Sequence, residues 1–338
     1  MKNRWRSFVF GVLFACFGIS MQGVTAAEPQ LRIGTLAPKN SLYHRQLMAL
    51  GEAWRTAQGG GKYLVYPDGS QGGETDMVRR MRIGQLQGGL MSVVGLREIE
   101  PSIAALQAMP LMFRSWEEVD YVREKMRPAM EQKFLDKGFV VLAWGDAGWV
   151  RFFSKQPGAH PEDFKRMKFF AWGGEAEQQE IMKRLGYTPV PLETADILPA
   201  IQTGMIDAVP STPYFALATQ IYQTAPNMLD MNWAPIVGAL VVTRKAWDGM
   251  TPEAQQKVRE AGTLAGAQIR AQARKEVDEA VEAMKKRGLA VNTPNPEQMK
   301  AWRTLAEALY PQIRGTLVPA ATFDEVVGHL KAYRAGKR

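Results

Sequence analysis

Residues 186–213, GYTPVPLETADILPAIQTGMIDAVPSTP, leave this chain few folds to choose from. Residues 187–190 read as a short strand, and Leu192-Glu193-Thr194 as a turn. Residues 196–203 set Ile197, Leu198 and Ile201 on one helical face before Gly204 stops the helix. Residues 205–209 supply a second buried strand, and Pro210-Ser211-Thr212-Pro213 turns the chain into a further helix at Tyr214. Strand, helix and strand in this order make a βαβ unit ending in a polar loop. In open parallel sheets ligands sit where strands end and helices begin, which places Ser211, Thr212 and Tyr214 to touch one. An ordinary crossover with a capped helix accounts for the same residues equally well.

The N-terminal part repeats this alternation. Leu31, Ile33 and Thr35 open a strand, 42–57 is a helix, 62–66 a strand, 74–83 a helix and 90–94 a buried strand. Such βα units favour a parallel sheet covered on both faces. Residues 138–144 return as a strand after a helical stretch, and 149–154 form a strand crossing into a second lobe. Two crossings, the other near 235–242, make a hinge between rigid bodies. The expected division is 27–148 plus 235–250 as lobe one and 149–234 as lobe two. Residues 251–287 form one long helix from the Thr251-Pro252-Glu253 start, with charged residues such as Arg274, Glu276 and Asp278 as its wet face, and 288–338 are C-terminal packing helices.

The first 26 residues carry Lys2, Arg4 and Arg6, an apolar run from Phe8, and Val24-Thr25-Ala26 as a small-residue cleavage pattern: a secretory leader, too short in its apolar part to span a bilayer with ease. Lipid attachment at Cys16 fits poorly, because Phe14 is wrong for such a site and the apolar run continues past the cysteine. Cys16 is the chain's one cysteine, so the mature protein has no disulfide and no thiolate nucleophile. The formal charge is +8, or +5 without the leader's three cations. Those charges are spread along helices and mixed with acids, which argues for a solvated surface over nucleic-acid binding.

Enzymatic readings find little support. His44, His160 and His329 pair with no serine motif and no metal-ligand spacing is present. Asp68-Gly69-Ser70-Gln71-Gly72-Gly73 lacks the Gly-Lys-Ser/Thr ending of a P-loop, and its serine is not in a Gly-x-Ser-x-Gly frame. The chain is therefore expected not to be an enzyme and to need no cofactor.

Three blocks carry a family resemblance. PVPLETADILPAIQTGMIDAV, YPDGSQGGETDMVRRMRIGQLQGG and RFFSKQPGAHPEDFKRMKFFAW resemble segments of the DctP-type solute-binding proteins of TRAP transporters, periplasmic receptors for small organic acids. The resemblance covers nearly the whole mature chain. It implies a two-lobed α/β periplasmic binding fold of type II-like form, a long helix spanning both lobes, a periplasmic location and a membrane permease as partner.

That family holds its substrate carboxylate with an arginine in a Gly-Leu-Lys-Ile-Arg-Val-Pro pattern. A guanidinium fork matches a carboxylate in a way a lysine cannot. Here the stretch reads Arg166-Met167-Lys168-Phe169-Phe170-Ala171-Trp172, with Phe170 at the arginine's place, a mark of a divergent branch. A second family arginine corresponds to Arg151, the expected anchor. Glu74 keeps an acidic residue, while Leu36, Ser92 and Thr212 stand where other polar or charged residues are usual. Trp149, Phe170, Trp172, Tyr214 and Trp233 are expected near the cleft, which points to an amphipathic, aromatic or otherwise apolar acid. The competing reading is a periplasmic adaptor or lipid-binding protein that works with a tetratricopeptide-type helical partner, and it predicts a filled or shallow cleft.

Overall fold

The computed structural model describes residues 30–57 and 61–337. The expected leader (1–26), with Cys16, lies outside the described residues. In chain order the strands are β1 (Gln30–Thr35), β2 (Lys62–Tyr66), β3 (Gly88–Ser92), β4 (Phe139–Trp149), β5 (Arg151–Ser154), β6 (Lys168–Trp172), β7 (Thr188–Leu192), β8 (Ala208–Ser211), β9 (Asn227–Leu229), β10 (Pro235–Thr243) and β11 (Ala290–Asn292). They form two sheets, ordered β2-β1-β3-β10-β4 and β11-β9-β5-β8-β6-β7. This is a two-lobed α/β molecule with one sheet per lobe.

Both sheets are mixed where βα alternation alone predicts parallel ones. β1 runs parallel to β2 and β3, but β10 pairs antiparallel with both β3 and β4. In the second sheet β6 is parallel to β7 and β8, whereas β5 is antiparallel to β8 and β9. The antiparallel strands are the ones at the crossings. β4 leads out of the first sheet and β10 leads back in, so the two run opposite ways side by side. The crossings also bond to each other: Val150 N–H donates to Ala234 O at 2.8 Å, and Trp233 N–H donates to Val150 O at 3.0 Å.

The helix Pro252–Lys285 begins with Thr251 capping Ala254 N–H at 3.2 Å. Ala254 and Val258 pack in the first lobe's core and Met284 in the second's, so the helix spans both. Its interior glycines have a steric reason. A Cβ at Gly262 would lie 2.7 Å from Leu142 O and one at Gly266 2.6 Å from Trp144 O, so only glycine lets the helix lie this close to β4.

The same helix corrects an expectation. Arg274 reads as part of a wet face, yet its guanidinium reaches the buried Asp146 of β4 at 2.6 Å and Asp120 at 2.7 Å. Arg123 pairs with Asp146 at 2.7 Å, and Arg270 Nη1 donates to Trp144 O at 2.7 Å. This charged cluster ties the helix Trp116–Asp136, β4 and the long helix together behind the hinge.

Residues after the long helix are not helical throughout. β11 adds to the second sheet parallel to β9 before the helices Pro296–Ile313 and Ala320–Ala335. No helix among the described residues is long and apolar enough to cross a membrane.

Candidate functional site

The C-terminal ends of the parallel strands converge on the gap between the lobes. There they border a cleft cavity of about 350 Å³, lined at the ends of β1, β3, β6 and β8 by Thr35, Ser92, Trp172 and Ser211. Strand termini collect there because each βα connection turns away at that edge and leaves loop and helix-start groups free.

Of the residues expected at the site, Leu36, Glu74, Ser92, Phe170, Trp172, Ser211, Thr212, Tyr214 and Trp233 all lie on the cavity wall. Their chemistry differs. Glu74 opens the helix Glu74–Arg82, and its carboxylate accepts from Ser92 N–H at 2.8 Å, Ser92 Oγ at 2.7 Å and Gly95 N–H at 2.8 Å. Those bonds hold β3 and its following turn to that helix. Burial pushes the Glu74 carboxyl above its ordinary range despite the three donors. Thr212 is committed as a helix cap, its Oγ1 accepting from Phe215 N–H at 3.3 Å. Tyr214 meets Tyr43 of the first lobe edge-on at 5.9 Å. Phe170 packs into the second lobe's core, 4.9 Å from the Trp172 ring.

Two expected residues sit elsewhere. Strand alternation on β5 brings Phe152 to the cavity and turns Arg151 to the opposite face. There its guanidinium pairs with Asp230 and donates to Asn232 Oδ1 at 3.4 Å, so it is not placed as the anchor. Trp149, at the end of β4, packs in the first lobe's core against Trp116, with ring centres 4.9 Å apart. Arg274 covers the other ring of that pair at 4.7 Å.

The cation on the wall is one that motif reading passes over. Among the described residues, Arg97, just past the short helix Val93–Leu96 after β3, supplies the lining's guanidinium. It spans the cleft to the second lobe, with Nη1 3.6 Å from Glu175 Oε1 and Nη2 3.1 Å from Glu177 Oε2. Glu175 is buried. Desolvation pushes its carboxyl up to about 7, with Arg97 pulling it down and Glu74 adding to the rise. Gln107 and Thr194 also line the cavity, and Gln107 Oε1 and Thr194 Oγ1 are buried without a protein partner. Buried polar atoms are rarely left so.

The rest of the wall is apolar, and part of it comes from the tail that sequence reading assigned to packing. Phe152 touches Phe169, Trp233 and Trp302 at ring distances of 5.4 to 5.6 Å. Trp302, Leu305, Leu309 and Ile313 of the helix Pro296–Ile313 line the cavity beside them. Their three- and four-residue spacing is visible in the sequence, but it reads equally as a stripe facing solid core.

Two lobes, two hydrogen-bonded crossings between them and a cleft cavity at the converging strand ends are the architecture of a two-lobed binding protein. The chain belongs to the DctP family, bacterial extracellular solute-binding protein family 7, whose model matches residues 33–315. The C4-dicarboxylate-binding periplasmic protein DctP of Rhodobacter capsulatus is 20% identical over 251 residues, 74% of this chain and 75% of that protein. Among solved structures, a TRAP periplasmic solute-binding protein from Ralstonia eutropha H16 with bound (S)-2-acetolactate superposes with a TM-score of 0.83 at 19% identity. It covers 90% of this chain and 99% of its own. The sugar acid binding protein of Advenella mimigardefordensis in complex with galactonate gives a TM-score of 0.82 at 15% identity, covering 90% and 98%.

Proposed function

We propose that this chain is the periplasmic receptor of a TRAP-type transporter, that it closes over a small organic acid with a largely apolar body, and that it presents the acid to a membrane permease. The observation that carries this reading is the cavity itself: set in the cleft between the lobes, mostly apolar, with one guanidinium on its described wall. Arg97 takes the anchoring role expected of Arg151. Its bond to Glu175 is long, and a carboxyl that holds its proton near neutrality is an easy partner to displace. A ligand carboxylate that replaces Glu175 gains a two-pronged contact with Arg97.

Closure brings Arg97 to Glu175 and Glu177 and Tyr43 to Tyr214, all across the cleft. The Arg97–Glu177 and Tyr43–Tyr214 contacts hold the closed form, and a solute that takes Glu175's place on Arg97 adds to them, which is how a receptor signals occupancy to a permease. The adaptor reading predicted a filled or shallow cleft. A cavity of about 350 Å³ beside Trp172 weighs against it, and no described feature calls for a helical-repeat partner.

A thermal-shift screen of protein refolded free of ligand tests the proposal. The panels are small hydroxy-, keto- and dicarboxylates, and aromatic or chain-bearing acids. A ligand at a hundred times its Kd adds about 2.7 kcal/mol and raises Tm measurably. Hits among acids are expected, concentrated in the second panel; no shift with any acid would overturn the reading.

A further inference from the structure

We propose that this receptor captures its acid together with a proton: a solute carboxylate that takes Arg97 leaves Glu175 to be neutralised, and Glu175 draws about one proton from solvent for each solute bound. The inference rests on the receptor reading above and adds how the site keeps its charge in balance.

The charges along the seam between the lobes are unequal. The first lobe brings Arg97, just past the helix Val93–Leu96, and Glu74, at the start of the helix Glu74–Arg82. The second brings Glu175 and Glu177, and also Glu193, which follows β7 and lies against Gly73 and Gly173. Asp76 and Asp196 stand beside Glu193, and Asp76 is matched by Arg79 at 2.7 Å. The remaining carboxylate of the cavity lining, Asp146, is already paired with Arg123 and Arg274. Among the described residues, Arg97 is the cation that faces Glu175, at 3.6 Å, and it is shared with Glu177 at 3.1 Å. A solute carboxylate on Arg97 adds one more negative charge and brings no cation, in a place where burial strengthens the repulsion.

Hydrogen bonding decides which carboxylate takes the proton. Glu74 is buried, but its oxygens accept from Ser92 N–H, Ser92 Oγ and Gly95 N–H, and three donors support an ionised group. Glu177 and Glu193 are exposed and keep their water. Glu175 has neither support. It is buried, and although it stands at the N-cap of the helix Ala176–Arg184, its side chain caps none of that helix's N–H groups. Its charge therefore leans on Arg97. Even with Arg97 in place, burial and then Glu74 push its carboxyl up to about 7. A solute that draws the guanidinium away raises it further, so above neutrality Glu175 is ionised in the free receptor and protonated in the loaded one. The loaded state holds more protons, and affinity for the acid must fall as pH rises.

The test is a calorimetric titration of the refolded full chain at pH 8 with hexanoate, phenylacetate and 4-methyl-2-oxopentanoate, in buffers that differ in ionisation enthalpy. The slope of binding enthalpy against buffer ionisation enthalpy counts the protons taken up. The natural chain should take up about one proton per solute, Glu175→Gln almost none, and Glu177→Gln about as many as the natural chain. By linkage, the natural chain's Kd should also weaken by up to about tenfold per pH unit between pH 7.5 and 8.5. That second measurement needs no variant, so the proposal stays open to refutation even if Glu175→Gln does not fold. No uptake by the natural chain, a Kd independent of pH over that range, or uptake unchanged in Glu175→Gln would overturn proton capture and leave the receptor reading intact. Failure of all three acids to bind at millimolar concentration would overturn both.

Discussion

Replacing Glu175 by Gln should make the protein more stable above neutral pH and leave it unchanged in acid. Glu175 is 8% exposed and its carboxyl is pushed from an ordinary 4.5 up to about 7, chiefly by desolvation. The rise means that the folded state prefers the protonated form. Below about pH 4.5 both folded and unfolded chains hold the proton, and the residue costs nothing. Between about 4.5 and 7 the unfolded carboxyl ionises while the folded one stays neutral, so stability falls as pH rises; above about 7 the full penalty is present. A shift of that size is worth about 3 kcal/mol. Glutamine resembles the protonated acid at every pH, so Glu175→Gln removes the penalty. Urea unfolding of both proteins at pH 5 and pH 8 reads the effect as a difference of differences, in which the other titrating groups cancel. The variant should gain up to about 3 kcal/mol over the natural chain at pH 8 and little at pH 5. An equal difference at the two pH values, or a natural chain that is the more stable at pH 8, would show that Glu175 is not held in a desolvating site beside Arg97.

Two further substitutions probe the frame behind the cavity. Asp146→Asn leaves the buried Arg123 and the half-buried Arg274 short of a shared carboxylate, and should cost about 3–5 kcal/mol in urea unfolding; a loss under 1 kcal/mol would show that Asp120 alone satisfies both. Gly266→Ala drives a methyl to 2.6 Å from Trp144 O and should cost about 1–3 kcal/mol by forcing the long helix off β4, against the small gain that alanine brings an open helix. A variant at least as stable as the natural chain in thermal unfolding would refute that close contact.

Much of the order of strands and helices was legible because buried strand runs and helical stripes have different periods, and the end of β8 could be placed at the cleft on that basis, whereas Leu36, Ser92 and Trp172 near the ends of β1, β3 and β6 were expected there from the family resemblance. The direction of β5 and β10 was less so: nothing in a strand's own residues says whether its neighbour runs parallel, and here the return crossing decides it. Arg151 shows the same limit at the level of one side chain. A residue next to the hinge points into or away from the cleft by strand parity, and a shift of one position exchanges Arg151 for Phe152. Arg274 was misread because a charge on a helix advertises no partner. Asp120 and Asp146 lie 154 and 128 residues away in sequence, and only the fold assembles them. The apolar stripe of the helix Pro296–Ile313 was visible, but periodicity identifies a buried face without saying whether core or cavity lies beyond it. Arg97 and Glu175 carried no motif at all, since each becomes part of the wall only when the two lobes meet.

The most direct measurement is a calorimetric comparison of acid binding by the natural chain, Arg97→Met and Arg151→Met. If an organic acid is held between the lobes by Arg97, that substitution should weaken binding at least a hundredfold by removing a charge-assisted, two-pronged contact of about 3 kcal/mol. Arg151→Met should change affinity less than threefold, because that guanidinium is turned away toward Asp230 and Asn232. Undiminished binding by Arg97→Met, together with loss of binding in Arg151→Met, would contradict the account and return the anchor to the hinge strand.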